Sequence, residues 1–276
     1  MGSARHEDQI TIKYFDRTSR RLVYIRRGAD SAYWEDHWGG KDDARITSTT
    51  ANRFFVTTTA RHLPLGSLVL DGGCGMADKV FALHAGGFAA FGVDFAVDTL
   101  VRARGIAPSL KLVAADVTAL PFRDGSLDGC WSIGVIEHSF EGFQPIAAEI
   151  RRVLRPGGIL FLTFPVFSPV RRLKASLGLY GEWSVSGNSG PKDFYQFALS
   201  PDPVAATFLN LGFTLLARVP RGGMRGLKEE MPRAHGLARL ITRAGGPLRR
   251  SLRDGIDRMV SRSVGHTMLL VLRRDA

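Results

Sequence analysis

The chain has 276 residues, is 45% hydrophobic and carries a formal charge of +11. A chain of this length can bury a core that needs no staples, and its only cysteines, Cys74 and Cys130, exclude a disulfide framework and suit a reducing compartment. No apolar run approaches the roughly 18 residues of a bilayer-spanning helix, and the charged start Arg5-His6-Glu7-Asp8 has no signal-peptide core behind it, so a cytoplasmic protein is expected.

Alternation of Ile10, Ile12 and Tyr14, then of Leu22 and Tyr24 across the polar stretch Asp16 to Ser19, predicts a hairpin over 9–26. An aromatic cluster, Tyr33, Trp34 and Trp38, follows, and 45–62 has the pattern of a helix closed by Pro64 and Gly66. From Ser67 the rhythm becomes strand and helix in turn. Strands are expected at 68–70, 88–93, 110–114, 127–133 and 159–164, with helices at 77–84, 97–104 and 144–154 between them. The continuous apolar strands indicate burial on both faces, hence a parallel sheet covered by helices. After Pro165 a Gly-, Ser- and aromatic-rich insertion spans 166–200. A helix capped by Asp202 and ended by Gly212, a strand at 213–219, a second insertion at 221–264 and a last strand at 266–272 complete the chain. The reading is an α/β fold: a doubly wound, seven-stranded, mostly parallel Rossmann-like sheet, with an N-terminal cap (1–66) and a main domain (67–276) bearing two lid insertions.

Chemistry concentrates at the strand ends. Leu68-Val-Leu-Asp71-Gly72-Gly73-Cys-Gly75 runs a strand into a glycine turn and a helix, an arrangement that lets a ligand approach the backbone closely. A dinucleotide fingerprint would need glycine where Asp78 stands, and an acid there repels pyrophosphate. Asp71 is equally wrong for phosphate but right for an ammonium group. Asp94 ends the next strand, placed to accept both hydroxyls of a ribose, with Phe95 after it. Asp116-Val117 follows the third strand, where an acid can accept from an adenine amino group. Three acids on three consecutive strands describe a nucleoside with an amino-acid tail.

These residues, with Ser132-Ile133-Gly-Val-Ile-Glu137-His138 and Arg152-Val-Leu-Arg-Pro156-Gly-Gly158, resemble the class I S-adenosylmethionine-dependent methyltransferases, most of all the small-molecule branch called type 11. The resemblance covers 67–165 well and the last two strands more loosely; the family's third glycine is Ala77 here. It implies S-adenosylmethionine as cofactor, with its methionine part at Asp71, Gly72, Gly73 and Gly75, its ribose at Asp94 beside Phe95, its adenine at Asp116 and Val117, and the methyl-transfer face along Ile133 to His138. No metal is implied.

Residues outside the common pattern carry the acceptor question. His138 is the candidate general base, or else a polar anchor for its loop, and Glu137 the residue that orients that loop. Tyr33, Trp38, Glu137, Tyr180 and Tyr195 are candidate substrate contacts; the aromatics at 33–38 could equally be core anchors or a wall over the sulfonium. Net charge is +10 in 166–276 against −2 in 67–165. Much of it lies in 234–262, either a helical flap packed on the domain or a basic amphipathic segment on an anionic membrane surface, with the protein then peripheral. The expected reaction is O-methylation of a small or glycan- or lipid-linked acceptor. An RNA methyltransferase is supported by charge alone and nucleic acid is not the expected partner; a third reading is a non-catalytic cofactor-binding protein.

Overall fold

The computed structural model describes residues 12–26, 33–34, 37–38, 42–184, 193–242 and 247–276. The first hairpin residues expected, 9–11, lie outside them. β1 (Ile12–Asp16) and β2 (Arg21–Ile25) pair antiparallel, and Asp16 closes the turn by accepting from the Ser19 N–H at 3.0 Å and Arg21 Nε at 3.1 Å. The helix expected over 45–62 is cut short. A single 3-10 turn spans Asp43–Arg45 and α1 spans Arg53–Ala60. Between them the Ala51 N–H donates to Ser48 Oγ, and Asn52 Nδ2 to the Ser48 carbonyl at 3.2 Å, so short polar side chains take backbone partners that a helix would use.

The main domain alternates β3 (Leu68–Gly72), α2 (Asp78–Ala85), β4 (Ala89–Asp94), α3 (Val97–Ile106), β5 (Lys111–Ala114), β6 (Leu127–Ile133), α4 (Gln144–Val153) and β7 (Leu154–Pro165). After it come α5 (Pro169–Ser176), β8 (Gly181–Glu182), β9 (Phe194–Ala198), α6 (Pro201–Asn210), β10 (Phe213–Arg221), α7 (Gly223–Glu230), α8 (Pro232–Thr242), α9 (Pro247–Val264) and β11 (Thr267–Arg274). The seven-stranded sheet has the order β10-β11-β7-β6-β3-β4-β5. The five strands from β7 to β5 are parallel and β11 is antiparallel to both neighbours. Strand order reverses at β3, which lies between β4 and β6; ligands of such sheets bind in the crevice beyond the carboxyl ends at this point.

Alternation along the strands divides the core in two. Leu70, Cys130 and Leu160 enter the layer that holds α4 and α6; Val69, Trp131 and Phe161 enter the layer that holds α2 and α3. In the second layer Trp131 stacks on Phe161 at 4.5 Å, and its indole N–H reaches Thr59 Oγ1 at 2.9 Å, which pins α1 to the sheet.

A second sheet, β8-β1-β2-β9, joins the N-terminal hairpin to the first insertion. Fully buried Arg171 on α5 fastens it: the guanidinium pairs with Glu229 at 2.9 Å and Glu230 at 3.0 Å on α7, and donates to the Val166 carbonyl at 2.7 Å. Lys13 of β1 and Lys174 of α5 also reach Glu230, at 2.7 and 2.8 Å. The cap and both insertions therefore meet in one ion cluster. No described helix is long and apolar enough to cross a membrane.

Candidate active site

The turn after β3 is shaped by left-handed backbone. Gly73 and Gly75 have φ of +77° and +49°, and Ala77 has +57°. A side chain at Gly73 would put its Cβ 2.5 Å from Val135 Cγ2, and one at Gly75 would lie 2.6 Å from the Trp38 ring. Ala77 holds a conformation that costs a non-glycine residue about 1–2 kcal/mol.

Four N–H groups of the turn have acceptors. The N–H groups of Gly73 and Cys74 both donate to the Val93 carbonyl, at 2.8 and 3.0 Å, and that of Ala77 to the Cys74 carbonyl at 2.9 Å. The Gly75 N–H donates to Asp94 Oδ2 at 2.7 Å. Little is left for an anion. The carboxylate of Asp71, by contrast, is 1% exposed and neither of its oxygens has a partner. Burial pushes that carboxyl up to about 7; Asp78 and Asp94 add to the shift and Lys79 opposes it. A buried acid without a donor is costly unless a cation completes it.

Beside the turn opens a cavity of about 280 Å³. Gly73 from the β3 turn, Asp94 and Phe95 from the end of β4, and Asp116, Val117 and Thr118 from the end of β5 line one part. Asp94 Oδ1 accepts from the Ala96 N–H at 3.0 Å, so both of its oxygens are oriented before a ligand arrives. Asp116 Oδ1 accepts from the Thr118 N–H and hydroxyl, both at 2.7 Å. Gly134, Val135, His138 and Ser139 follow β6, Ile146 comes from α4, and Trp34 and Trp38 complete the lining from the N-terminal cap.

His138 is held by geometry. Its Nδ1 donates to the Tyr195 carbonyl at 2.6 Å, since a carbonyl can only accept. The Trp34 ring stands edge-on to the imidazole at 4.7 Å. Burial is the main reason the imidazole is pushed down to about 4, with His37 adding to it and the Tyr195 bond opposing. The ring is therefore neutral at pH 7.

Of the residues singled out in the sequence, Gly73, Asp94, Phe95, Asp116, Val117, Trp38 and His138 meet in this cavity. Asp71 and Gly72 end β3, Gly75 lies under Trp38, and Ile133 ends β6 and packs against the α2 and α3 layer. Glu137 is buried, with Oε2 unpartnered, and burial raises its carboxyl to about 8. Tyr33 and Tyr195 do not line the cavity; Tyr195 packs against Trp34 and His138, and Tyr33 against Trp34. Tyr180 is not among the residues that line the cavity. Its hydroxyl donates to Glu230 Oε2 at 2.7 Å and Lys174 sits over its ring, so it belongs to the ion cluster. Val135 falls in the stretch expected to form the methyl-transfer face, whereas Thr118, Ser139 and Ile146 escaped sequence reasoning. Only Thr118 had a signal, the Asp-x-Thr turn; the others are ordinary side chains that the fold brings together.

Residues 70–162 match the family described as a methyltransferase domain. The chain carries a class I S-adenosylmethionine-dependent methyltransferase domain. The chain is similar over 103 residues, at 36% identity, to the 2-methyl-6-phytyl-1,4-hydroquinone methyltransferase of Synechocystis, covering 36% of this chain and 32% of that one. Over 156 residues it is 31% identical to the malonyl-[acyl-carrier protein] O-methyltransferase of Erwinia pyrifoliae, covering 55% of this chain and 56% of that one. The chain thus spans between about a third and little more than half of these relatives. Its fold resembles that of an S-adenosylmethionine-dependent methyltransferase from Archaeoglobus fulgidus, with a TM-score of 0.52 and 14% identity over 88% of this chain and 99% of that one. S-adenosylmethionine is the cofactor of the family, and the residues present fit it: a donorless buried carboxylate at a turn too tight for a Cβ suits an ammonium group.

Proposed function

We propose that the protein methylates a hydroxyl of a small or glycan- or lipid-linked acceptor, using S-adenosylmethionine. The observation that carries the reading is the unpartnered Asp71 carboxylate beside a glycine turn in which the Gly73, Cys74 and Gly75 N–H groups already have acceptors. In this reading Asp71 and the turn through Gly72, Gly73 and Gly75 hold the amino-acid end, Asp94 accepts from the ribose hydroxyls with Phe95 beside it, and Asp116 with Val117 reads the adenine. When bound, the cofactor supplies an electrophilic methyl carbon on a positively charged sulfur. The stretch from Ile133 to His138 then sets the acceptor against that carbon, and positioning of this kind supplies a large share of catalysis. Glu137 orients the loop, and His138 Nε2 takes the proton from the acceptor. Trp34 and Trp38 exclude water.

Isothermal calorimetry with S-adenosylmethionine, followed by incubation of labelled cofactor with cell-envelope extract, tests the reading. Cofactor binding with label in small or lipid-linked products supports it. Label in RNA alone overturns the acceptor class. Binding without turnover in any pool makes the protein a cofactor-binding module.

A contact of 234–262 with an anionic membrane is supported by exposed Leu252 and Met259 on α9, with exposed Arg253, Arg258 and Arg262 along the same helix. Co-sedimentation with phosphatidylglycerol vesicles, lost at high salt, is the expected result; equal pelleting with neutral vesicles overturns it.

A further inference from the structure

The acceptor end of the cavity is walled by rings. Trp34, Trp38 and His138 line it together with Val135, and no described residue lining the cavity is lysine or arginine. Arg26, on the cap, is engaged by the Tyr33 hydroxyl at 2.8 Å. The fixed charges that do line the cavity are carboxylates, Asp94 and Asp116. An anionic acceptor finds no cationic side chain among the described residues that line the cavity.

A β-bulge sets the polarity of the one polar ring. Tyr24 pairs with Gln196 and Ile25 with Phe194, so Tyr195 is the extra residue of β9. Bulged residues leave the ladder and re-aim their groups. The Tyr195 carbonyl turns to His138 Nδ1, which leaves Nε2 as the lone-pair nitrogen of a ring that lines the cavity.

We propose that the acceptor is a phenol: an uncharged hydroxyl on a flat apolar ring, lying against Trp34 and giving its proton to His138 Nε2. This rests on the methyltransferase reading above. The acceptor oxygen bonds to the methyl carbon as that carbon's bond to sulfur breaks. The bond pair goes to sulfur, which ends as a neutral thioether, and the hydroxyl proton goes to the imidazole. Timing separates oxygen from nitrogen. An amine arrives as an ammonium ion, with a pKa of about 10, and must lose its proton before it can attack. An imidazole held as far down as His138 cannot take it. A hydroxyl loses its proton as attack proceeds, when the oxygen has become strongly acidic, so a weak base suffices. A phenol, at about 10, is far more acidic than an alkanol and also offers a ring to the aromatic walls.

The test uses the whole protein with catechol, benzoate and benzylamine, reading S-adenosylhomocysteine release and tryptophan fluorescence. Catechol is expected to bind and to be methylated, the other two not. Trp34→Ala is expected to raise the catechol KM about tenfold with kcat little changed, as loss of an aromatic contact does. His138→Gln should lower kcat with KM kept. Preference for benzoate or benzylamine, or no binding of catechol to protein that binds S-adenosylmethionine, overturns the phenol inference and leaves the methyltransferase reading intact. Failure to bind S-adenosylmethionine overturns both.

Discussion

The Gly75 N–H donates to Asp94 Oδ2 at 2.7 Å, which ties the glycine turn of β3 to the acid that ends β4. The two parts of the cofactor cradle are thus one unit. Asp94→Ala removes the acceptor for Gly75 and also that for Ala96. Cofactor affinity is expected to fall at least about a hundredfold, since charge-assisted bonds of this kind each carry about 1.5–3 kcal/mol. Calorimetry reads the affinity, and circular dichroism verifies that the variant folds.

Asp71 gives a pH dependence whose sign follows from its raised pKa of about 7. Without cofactor, the folded protein holds this proton more tightly than the unfolded chain does. The stabilisation is full below about pH 4 and is lost as pH rises through 7, an effect of up to a few kcal/mol. A bound ammonium needs the ionised form, so cofactor affinity weakens as pH falls below 7, by at most about tenfold per pH unit. Asp71→Asn should raise the apo melting temperature at pH 8, weaken S-adenosylmethionine binding and flatten both dependences. Calorimetry at pH 6 and 8, in buffers of different ionisation heat, measures the proton released.

His138 is neutral down to about pH 4, well below the ordinary imidazole range. The acid limb of kcat is therefore expected near pH 4 to 5 and not at 6.5. His138→Ala should lower kcat by about 10²–10⁴-fold, the usual span for a general base, with cofactor affinity kept. A limb near 6.5 in the wild type assigns the base elsewhere.

Gly73→Ala meets two obstacles: a φ of +77° and a Cβ only 2.5 Å from Val135 Cγ2. The first costs about 1–2 kcal/mol and cannot be relieved by neighbours. The second can. Val135→Ala in the Gly73→Ala background should recover part of the lost stability, and a double-mutant cycle by thermal unfolding gives the coupling.

Arg171→Met leaves Glu229 and Glu230 without their buried partner. A loss of about 3–5 kcal/mol is expected at pH 7. Burial pushes the Glu229 carboxyl up, but His266, Arg171 and Arg225 outweigh it and hold it down at about 2. The stability this gives is present above about pH 4.5 and is lost as pH falls through the depressed value. The gap between wild type and variant should therefore narrow in acid, as urea titrations at pH 7 and pH 3 would measure.

The sheet, the glycine turn and the acids at the strand ends were legible in the residues alone. These follow from short-range rules: apolar runs set buried strands, glycines permit left-handed turns, and a residue that ends a parallel strand lies at the sheet's carboxyl edge. The rest depended on packing between segments far apart in the chain. Trp38 over Gly75, the Tyr195 carbonyl on His138 and the Arg171 cluster each join separate segments, 217 residues apart for Lys13 and Glu230. Tyr180 marks the boundary. Its ring suggested a substrate contact, and its hydroxyl donates to the buried Glu230 carboxylate, a partner that exists only once distant elements have packed.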